Sequence, residues 1–196
     1  MSTLKKFTPK SLRRFAKRDE GSMSVEAILM FPLLTWAYVA TFAFFDAFQA
    51  RSVNLKATFT VADMISRELN TVDADYIDGL LKLFNSLADS ADEETWLRIT
   101  SIRCVSDCDI GDENPRVLSN EWSYATGSTP ALTQETLMSF DGAIPVMPED
   151  DYVLMIETNM SYQPTFNVGL PVLEMNEIAV TRSRFVPRLC WESCNS

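Results

Sequence analysis

The chain has no histidine and few glycines, and both shortages narrow what it can do. None of its 196 residues is histidine, which removes Ser-His-Asp and Cys-His catalysis and the commonest metal ligand of proteins. The six glycines are scattered and form neither a dinucleotide-binding nor a phosphate-binding loop. No internal repeat or low-complexity segment stands out either. We therefore expect a protein that is not an enzyme and that needs no cofactor.

Charged residues are missing from one long stretch near the N-terminus. The 19 residues 27–45 carry no charge at all. As a helix rising about 1.5 Å per residue they would measure about 28 Å, close to the hydrocarbon thickness of a bilayer. The segment 26–46 is therefore predicted to cross a lipid bilayer once.

Charge is distributed unequally on the two sides of this stretch. Seven Lys and Arg residues and two acidic residues occur up to Gly21, a balance of +5. The remaining ten basic and 25 acidic residues follow Gly21, a balance of −15. Because Lys and Arg are retained in the cytoplasm, we expect a cytoplasmic N-terminus and an acidic domain beyond the inner membrane. Such a domain would stay soluble and would not bind nucleic acid through its phosphates.

One carboxylate, Glu26, stands at the cytoplasmic edge of the apolar stretch. An acidic residue costs about 2.5–3.5 kcal/mol at mid-membrane and less near the interface, so Glu26 needs a partner or a proton. Cleavage after Gly21 would create an ammonium on Ser22, one helical turn from Glu26. A neighbouring subunit's ammonium would serve as well. A secretory signal peptide fits less well, because its apolar region is only about 7–15 residues long and ends at small residues.

The residues around Gly21 resemble the processing site of type IV prepilins. Gly21 matches the residue before the cut, Ser22 the first mature residue, and Glu26 the glutamate at mature position five. The sequence is most similar to the TadE/TadG-like pseudopilins of the tight-adherence (Flp) pilus system, through Arg18-Asp19-Glu20-Gly21, Val25-Glu26 and Phe31-Pro32-Leu33-Leu34. The major pilin of that system has tyrosine after the glutamate, whereas Ala27 stands here. This departure favours a minor, pilin-like member.

The resemblance covers residues 13–50 and implies a function. A membrane aspartyl peptidase, the prepilin peptidase, would remove the leader 1–21. The mature chain would be a non-enzymatic minor pilin or pseudopilin of the bacterial inner membrane. It would pack with other pilins and with inner-membrane pilus-assembly proteins, in pilus assembly or surface adhesion. The resemblance does not distinguish E-type from G-type members of this group. It also does not say whether the chain becomes part of the pilus fibre.

Two other functions are compatible with a single membrane span. The first is an anchored module that displays its acidic domain to a periplasmic or surface partner and keeps its N-terminus intact. The second is a membrane-anchored hydrolase that uses paired carboxylates, for which no spacing in the sequence gives support.

The pattern after Asp46 predicts an α+β domain. Helical periodicity without glycine or proline continues to residue 69, so one helix of about 45 residues is predicted over 22–69. Its predicted core-facing residues are Phe48, Leu55, Phe59, Ala62 and Ile65.

The remainder, 70–196, is predicted to form the domain outside the membrane. A second helix is expected after a cap at Asp73 or Asp75, with one apolar face formed by Ile77, Leu81, Phe84 and Leu87. Strands are expected at 96–103, 116–124, 151–162 and 178–186, with a helix or loop at 131–140 and a long connection at 163–174. Helices followed by short strands indicate a long helix packed on a small antiparallel sheet.

The four cysteines form two pairs of equal spacing, Cys104 with Cys108 and Cys190 with Cys194. Zinc would accept this spacing, but thiols outside the inner membrane oxidise, so we expect two disulfides. Four cysteines allow three pairings, and the spacing does not choose between local bridges and bridges that tie the first strand to the C-terminus.

An acidic segment beside the first cysteine pair is a weak candidate for a calcium site. Asp107, Asp109 and Asp112 bring together the hard oxygen ligands that calcium prefers. The order of an EF-hand loop fails, because Gly111 stands at the fifth position, where that loop needs an acid or asparagine. A solvated loop between strands is the favoured interpretation.

Overall fold

The fold is described from a computed structural model, which covers residues 22–90, 95–108, 115–166 and 169–194. The chain divides into two compact units. The first combines the N-terminal residues up to Phe45 with Thr165–Leu170, and the second combines Asp46–Pro164 with Pro171–Ser196.

A single helix, α1, runs from Ser22 to Ser66 and takes part in both units. Its 45 residues confirm the predicted long helix, although it ends three residues before the expected residue 69. Pro32 lies inside it, where its missing N–H removes one backbone hydrogen bond. Among the described residues, α1 is the one helix long and apolar enough to cross a membrane, with a mean hydropathy of 1.9 in its most apolar window.

The second helix, α2, spans Ala74–Ala88 and begins as predicted. Asp73 is the N-cap, and its carboxylate accepts a hydrogen bond of 2.9 Å from the backbone N–H of Tyr76. Such a cap satisfies one of the donors left free at a helix start. The buried face differs in part from the prediction, because Leu80 is buried whereas Leu87 is 42% exposed.

In the residues that the structure describes, four strands form one antiparallel sheet in the order β2-β1-β3-β4. The strands are β1 (Thr95–Ser106), β2 (Val117–Ala125), β3 (Tyr152–Tyr162) and β4 (Leu173–Thr181). A short helix, α3 (Gln134–Leu137), and a 3₁₀ turn (Met138–Ala143) lie between β2 and β3. The predicted α+β architecture is confirmed.

The last strand lies earlier than the predicted 178–186. It begins at Leu173 and ends at Thr181, so residues 182–186 have left the sheet. Met175 and Ala179 are buried on the helix-covered face, while Glu174 and Asn176 alternate with them on the other face. The two polar residues hide the start of the strand in the sequence.

Each face of the sheet has its own hydrophobic core. The helices α1 and α2 cover one face, where Leu97, Ile99 and Ile156 are fully buried. The segment that contains α3 covers part of the other face, where Leu137 packs with Met155 and its neighbours. Burial of apolar surface stabilises both contacts by about 25 cal/mol per Å².

Small residues form the face of α1 that packs on the sheet. Ala57, Val61, Ala62 and Ile65 are at most 4% exposed. Ala62 and Ile65 were predicted there correctly. Phe48, Leu55 and Phe59 were not, since these three side chains are 67%, 38% and 55% exposed.

Polar contacts explain why α1 presents its small residues inward. The hydroxyls of Thr58 and Thr158 lie 2.7 Å apart, and both residues are fully buried. The buried amide of Asn54 donates to the backbone carbonyl of Met175 at 3.2 Å. Rotation of α1 toward its aromatic residues would break both bonds and leave buried polar groups unpaired, at about 1–3 kcal/mol each.

Candidate functional site

Two of the three predicted processing residues, Ser22 and Glu26, belong to α1. Gly21 is outside the described residues, and Ser22 is the first residue of the helix. Glu26 is helical and exposed, four residues further on. The rise between Ser22 and Glu26 is therefore about 6 Å, one helical turn. Their roles in cleavage and charge pairing remain predictions.

The first half of α1 presents apolar side chains outward over many turns. Every residue from 23 to 36 is exposed, and the exposed fractions of Ile28, Phe31 and Leu34 are 72%, 73% and 63%. Glu26 is the single charged residue of 22–45. An apolar surface of this extent marks an interaction site for a membrane or a protein.

Asp46 is the first charged residue after the apolar run, and it contacts the sheet. Its carboxylate accepts a hydrogen bond of 2.6 Å from the hydroxyl of Tyr162. Tyr162 is the last residue of β3 and is 7% exposed. This bond holds the end of β3 at the level where the apolar run ends.

Beyond Asp46, α1 keeps a stripe of exposed apolar side chains. Phe48, Leu55 and Phe59 form this outer stripe, since helical spacing places them on one side of α1. Ala57 lies on the opposite side, because nine residues from Phe48 make two and a half turns. The outer stripe is thus a second apolar surface that the described part of the fold leaves uncovered.

The four cysteines form two disulfides, as predicted, and both bridges are local. Cys104 is joined to Cys108 and Cys190 to Cys194. The first bridge lies at the end of β1, beside the core under α3. The second closes a loop near the C-terminus.

Aromatic side chains hold this C-terminal loop, a cluster that sequence reasoning missed. The Trp191 ring stacks on Tyr124 at 5.0 Å and lies 5.5 Å from Trp122. The indole N–H of Trp122 donates to the carbonyl of Leu189 at 2.8 Å. The sequence offered two hints of this cluster. One tryptophan stands next to Cys190, and another lies in β2, whose strand pattern in the sequence is weak. A cavity of about 190 Å³ lies between β1, β2 and this loop.

Three titratable groups near α2 have displaced pKa values. The pKa of Glu68 is lowered, chiefly by the backbone N–H of Asn70. Burial, helped by the charge of Glu68, raises the pKa of Tyr76 to about 12. Burial and the carboxylate of Asp78 raise the pKa of Tyr124. All three groups keep their ordinary charge at neutral pH, which fits a structural role.

The acidic segment proposed for calcium is described only in part. Asp107 has a left-handed backbone with φ of 56°, and its carboxylate accepts a hydrogen bond from the Ser106 hydroxyl. Asp109 and Asp112 lie outside the described residues. Within the described ranges, no group of three His, Cys, Asp or Glu side chains is placed to hold a metal ion.

A polar cleft opens on the outer face of the sheet, and sequence reasoning did not find it. Its volume is about 410 Å³, and Trp96, Asn159, Ser161 and Glu174 are among the residues that line it. The amide of Asn159 donates to Glu174 at 3.0 Å and to Asn176 at 2.9 Å. An aromatic ring beside amide and carboxylate groups can hold a polar ligand.

No known protein family, curated protein or solved structure matches this chain in the comparisons made. The resemblance to pseudopilins therefore depends on residues 13–50 themselves.

Proposed function

We propose that the chain is a non-enzymatic minor pilin or pseudopilin that takes part in tight-adherence pilus assembly or surface adhesion. The observation that carries this proposal is the division of α1. Its first half is apolar and exposed, and its second half is built into an α+β domain. A subunit of this kind needs one helix that serves as a membrane anchor and as part of a folded domain.

The proposed orientation follows from charge and from the cysteines. The basic leader stays in the cytoplasm, the apolar half of α1 crosses the inner membrane, and the acidic domain lies in the periplasm. Both disulfides fit an oxidising compartment.

In this proposal Glu26 sets the register between neighbouring subunits. Its carboxylate pairs with a Ser22 ammonium, of its own chain or of a neighbour, once the leader is removed. The outer stripe on α1 then supplies apolar contacts to partner helices. Neither feature contributes to the core of the folded domain, so both should affect assembly more than folding.

Mass spectrometry of the N-terminal peptide from membranes tests the cleavage. The peptide is expected to begin at Ser22, and Gly21→Leu is expected to leave a heavier, uncut chain. Ser24→Ala is a matched control that should be cut normally. A mature chain that keeps Met1 and the lysine-rich leader would contradict the proposal.

Replacement of Glu26 separates assembly from insertion. We expect Glu26→Ala to reduce pilus production while the protein still fractionates with membranes, because removal of one carboxylate makes the span more apolar. Pilus counts by electron microscopy and membrane fractionation measure the two effects. Normal pilus production by this variant would contradict the pairing role.

The polar cleft favours a second candidate, a membrane-anchored binding module. Its residues Trp96, Asn159 and Glu174 bring an aromatic ring, an amide and a carboxylate together, a combination that could hold a polar ligand. This candidate predicts an uncleaved N-terminus, so the same mass spectrum distinguishes the two functions.

A further inference from the structure

The connection between β3 and β4 carries no charge. Residues 163–172 include Phe166, Leu170 and Val172 and contain no Asp, Glu, Lys or Arg. Two of its apolar side chains are exposed, Phe166 at 44% and Val172 at 53%.

This connection starts at the level where the apolar run of α1 ends. Tyr162, the last residue of β3, donates its hydroxyl to Asp46, the first charged residue after the run. Thr165–Leu170 then belongs to the same compact unit as the apolar half of α1. Within that unit the ring of Phe166 meets the ring of Phe42 edge to face, with 6.2 Å between centroids.

The position of Phe42 in the apolar run determines how deep the Phe166 ring would lie in the bilayer. Phe42 lies one turn of helix, about 6 Å, on the apolar side of Asp46. The interfacial layers of a bilayer add about 5–8 Å on each side of the hydrocarbon. If residues 27–45 cross the hydrocarbon, the Phe166 ring reaches its boundary. The backbone of Thr165 and Phe166 can stay in the interfacial layer, where water satisfies its polar groups.

We propose that Phe166 and Leu170 form a second membrane contact, which dips into the lipid interface beside α1 on the side of the folded domain. The occupant of this surface is lipid, because the surface continues the apolar run of α1 and carries no charge. For comparison, amphipathic helices that lie in the interface bury their apolar faces about 5–10 Å into the boundary between headgroups and acyl chains. The contact would fix the domain against the membrane at a second point. This inference rests on the membrane span of the proposed function.

Quenching by brominated lipid in nanodiscs that hold the full-length protein tests this contact. The four native cysteines are all in disulfides, so Phe166→Cys introduces a single thiol for a bimane label. We expect brominated acyl chains to reduce the fluorescence at position 166 to nearly the same extent as at Phe31→Cys, because Phe31 lies about as far inside the cytoplasmic end of the span as Phe42 lies inside the other end. Iodide in the buffer should quench position 166 weakly.

Phe185→Cys is the matched control, since Phe185 is also an exposed phenylalanine, 65%, but lies after β4. Its label should respond to iodide and not to brominated lipid. Leu170→Cys supplies a second probe of the same contact if Phe166→Cys disturbs folding, which near-ultraviolet circular dichroism would reveal.

The outcomes separate this inference from the function on which it rests. Loss of lipid quenching at Phe31→Cys would overturn the membrane span and this contact together. Quenching at Phe31→Cys, with iodide access and no lipid quenching at position 166, would overturn the contact alone. Protection of position 166 from both quenchers would also overturn it, because protein and not lipid would then cover Phe166.

Discussion

At the scale of single residues, a buried ion pair crosses the centre of the sheet. Arg98 on β1 faces Glu157 on β3, with two hydrogen bonds of 2.7 Å each. Their side chains are only 12% and 6% exposed. The guanidinium of Arg98 also lies 5.6 Å from the Trp96 ring. The pair is thus well satisfied, but each charge depends on the other because little water reaches them.

Removal of one member of this pair should lower the free energy of unfolding strongly. Glu157→Leu leaves the Arg98 cation without its partner, and we expect a loss of about 3–5 kcal/mol. The double variant Arg98→Met with Glu157→Leu should recover much of this loss, since two apolar side chains can replace the pair. Thermal unfolding in detergent, followed by circular dichroism, measures both. Arg51→Gln is the control, because the Arg51 side chain is 69% exposed and its bridge to Glu177 is worth about 0–1 kcal/mol.

At the scale of elements, α1 shows two faces with different tasks. The face with Ala57 and Val61 is buried on the sheet, and the outer stripe of Phe48, Leu55 and Phe59 is exposed. Small residues let the helix lie close to the sheet, and the aromatic residues stay available to a partner. The two faces should therefore respond differently to substitution.

A matched pair of substitutions distinguishes the two faces. Ala57→Leu should destabilise the domain by about 1–3 kcal/mol, because the core has no space for the added methylenes. Phe59→Ser should change stability little but reduce assembly with partner helices. Thermal unfolding in detergent and cross-linking in membranes measure the two effects. Unaltered cross-linking of Phe59→Ser would contradict the role of the outer stripe.

The elements also show what the sequence can and cannot predict. The length of α1, a cap at Asp73 or Asp75 and three of the four strands follow from local patterns, because periodicity and capping depend on neighbours in the chain. The buried face of α1 depends on Thr158 and Met175, which lie far away in sequence. The start of β4 is hidden for a similar reason, since Glu174 and Asn176 face the side of the sheet that α1 does not cover.

The candidate site likewise combines features that the sequence shows with contacts that only the fold creates. The apolar run and Glu26 are evident from the sequence, since both are properties of one segment. The contact of Phe42 with Phe166, and the stacking of Trp191 on Tyr124, join segments that only the fold brings together. No local pattern could have shown either contact.

At the scale of the whole second unit, the C-terminal segment is tied back to the connection between α1 and α2. The backbone N–H of Val72 donates to Cys190, and that of Glu192 donates to Val72, at 2.9 and 2.8 Å. The N–H of Arg184 donates to the carbonyl of Ser66, where α1 ends. The second disulfide lies within this segment, so it stiffens the point where the end of the chain meets the helices.

Loss of the second disulfide should loosen this attachment without unfolding the sheet. For a loop this short the chain-entropy estimate is about 2 kcal/mol. We expect Cys190→Ser with Cys194→Ser to increase hydrogen exchange in 182–194 and to leave β3 protected. Hydrogen exchange with mass spectrometry in detergent measures this. Cys104→Ser with Cys108→Ser is the matched control, and its effect should appear at the end of β1; equal changes in 182–194 for both variants would contradict the assignment.

The regular pairing of β4 has a consequence for the isolated protein. The ladder between β3 and β4 has no register shift, whereas that between β1 and β2 has two. The far side of β4 carries no further strand in the described part of the sheet, so its main-chain groups offer a template to any extended chain. Glu174 and Glu177 discourage a second acidic copy from adding there. If neutral side chains replaced these two glutamates, edge-to-edge aggregation would be the expected failure of the purified domain.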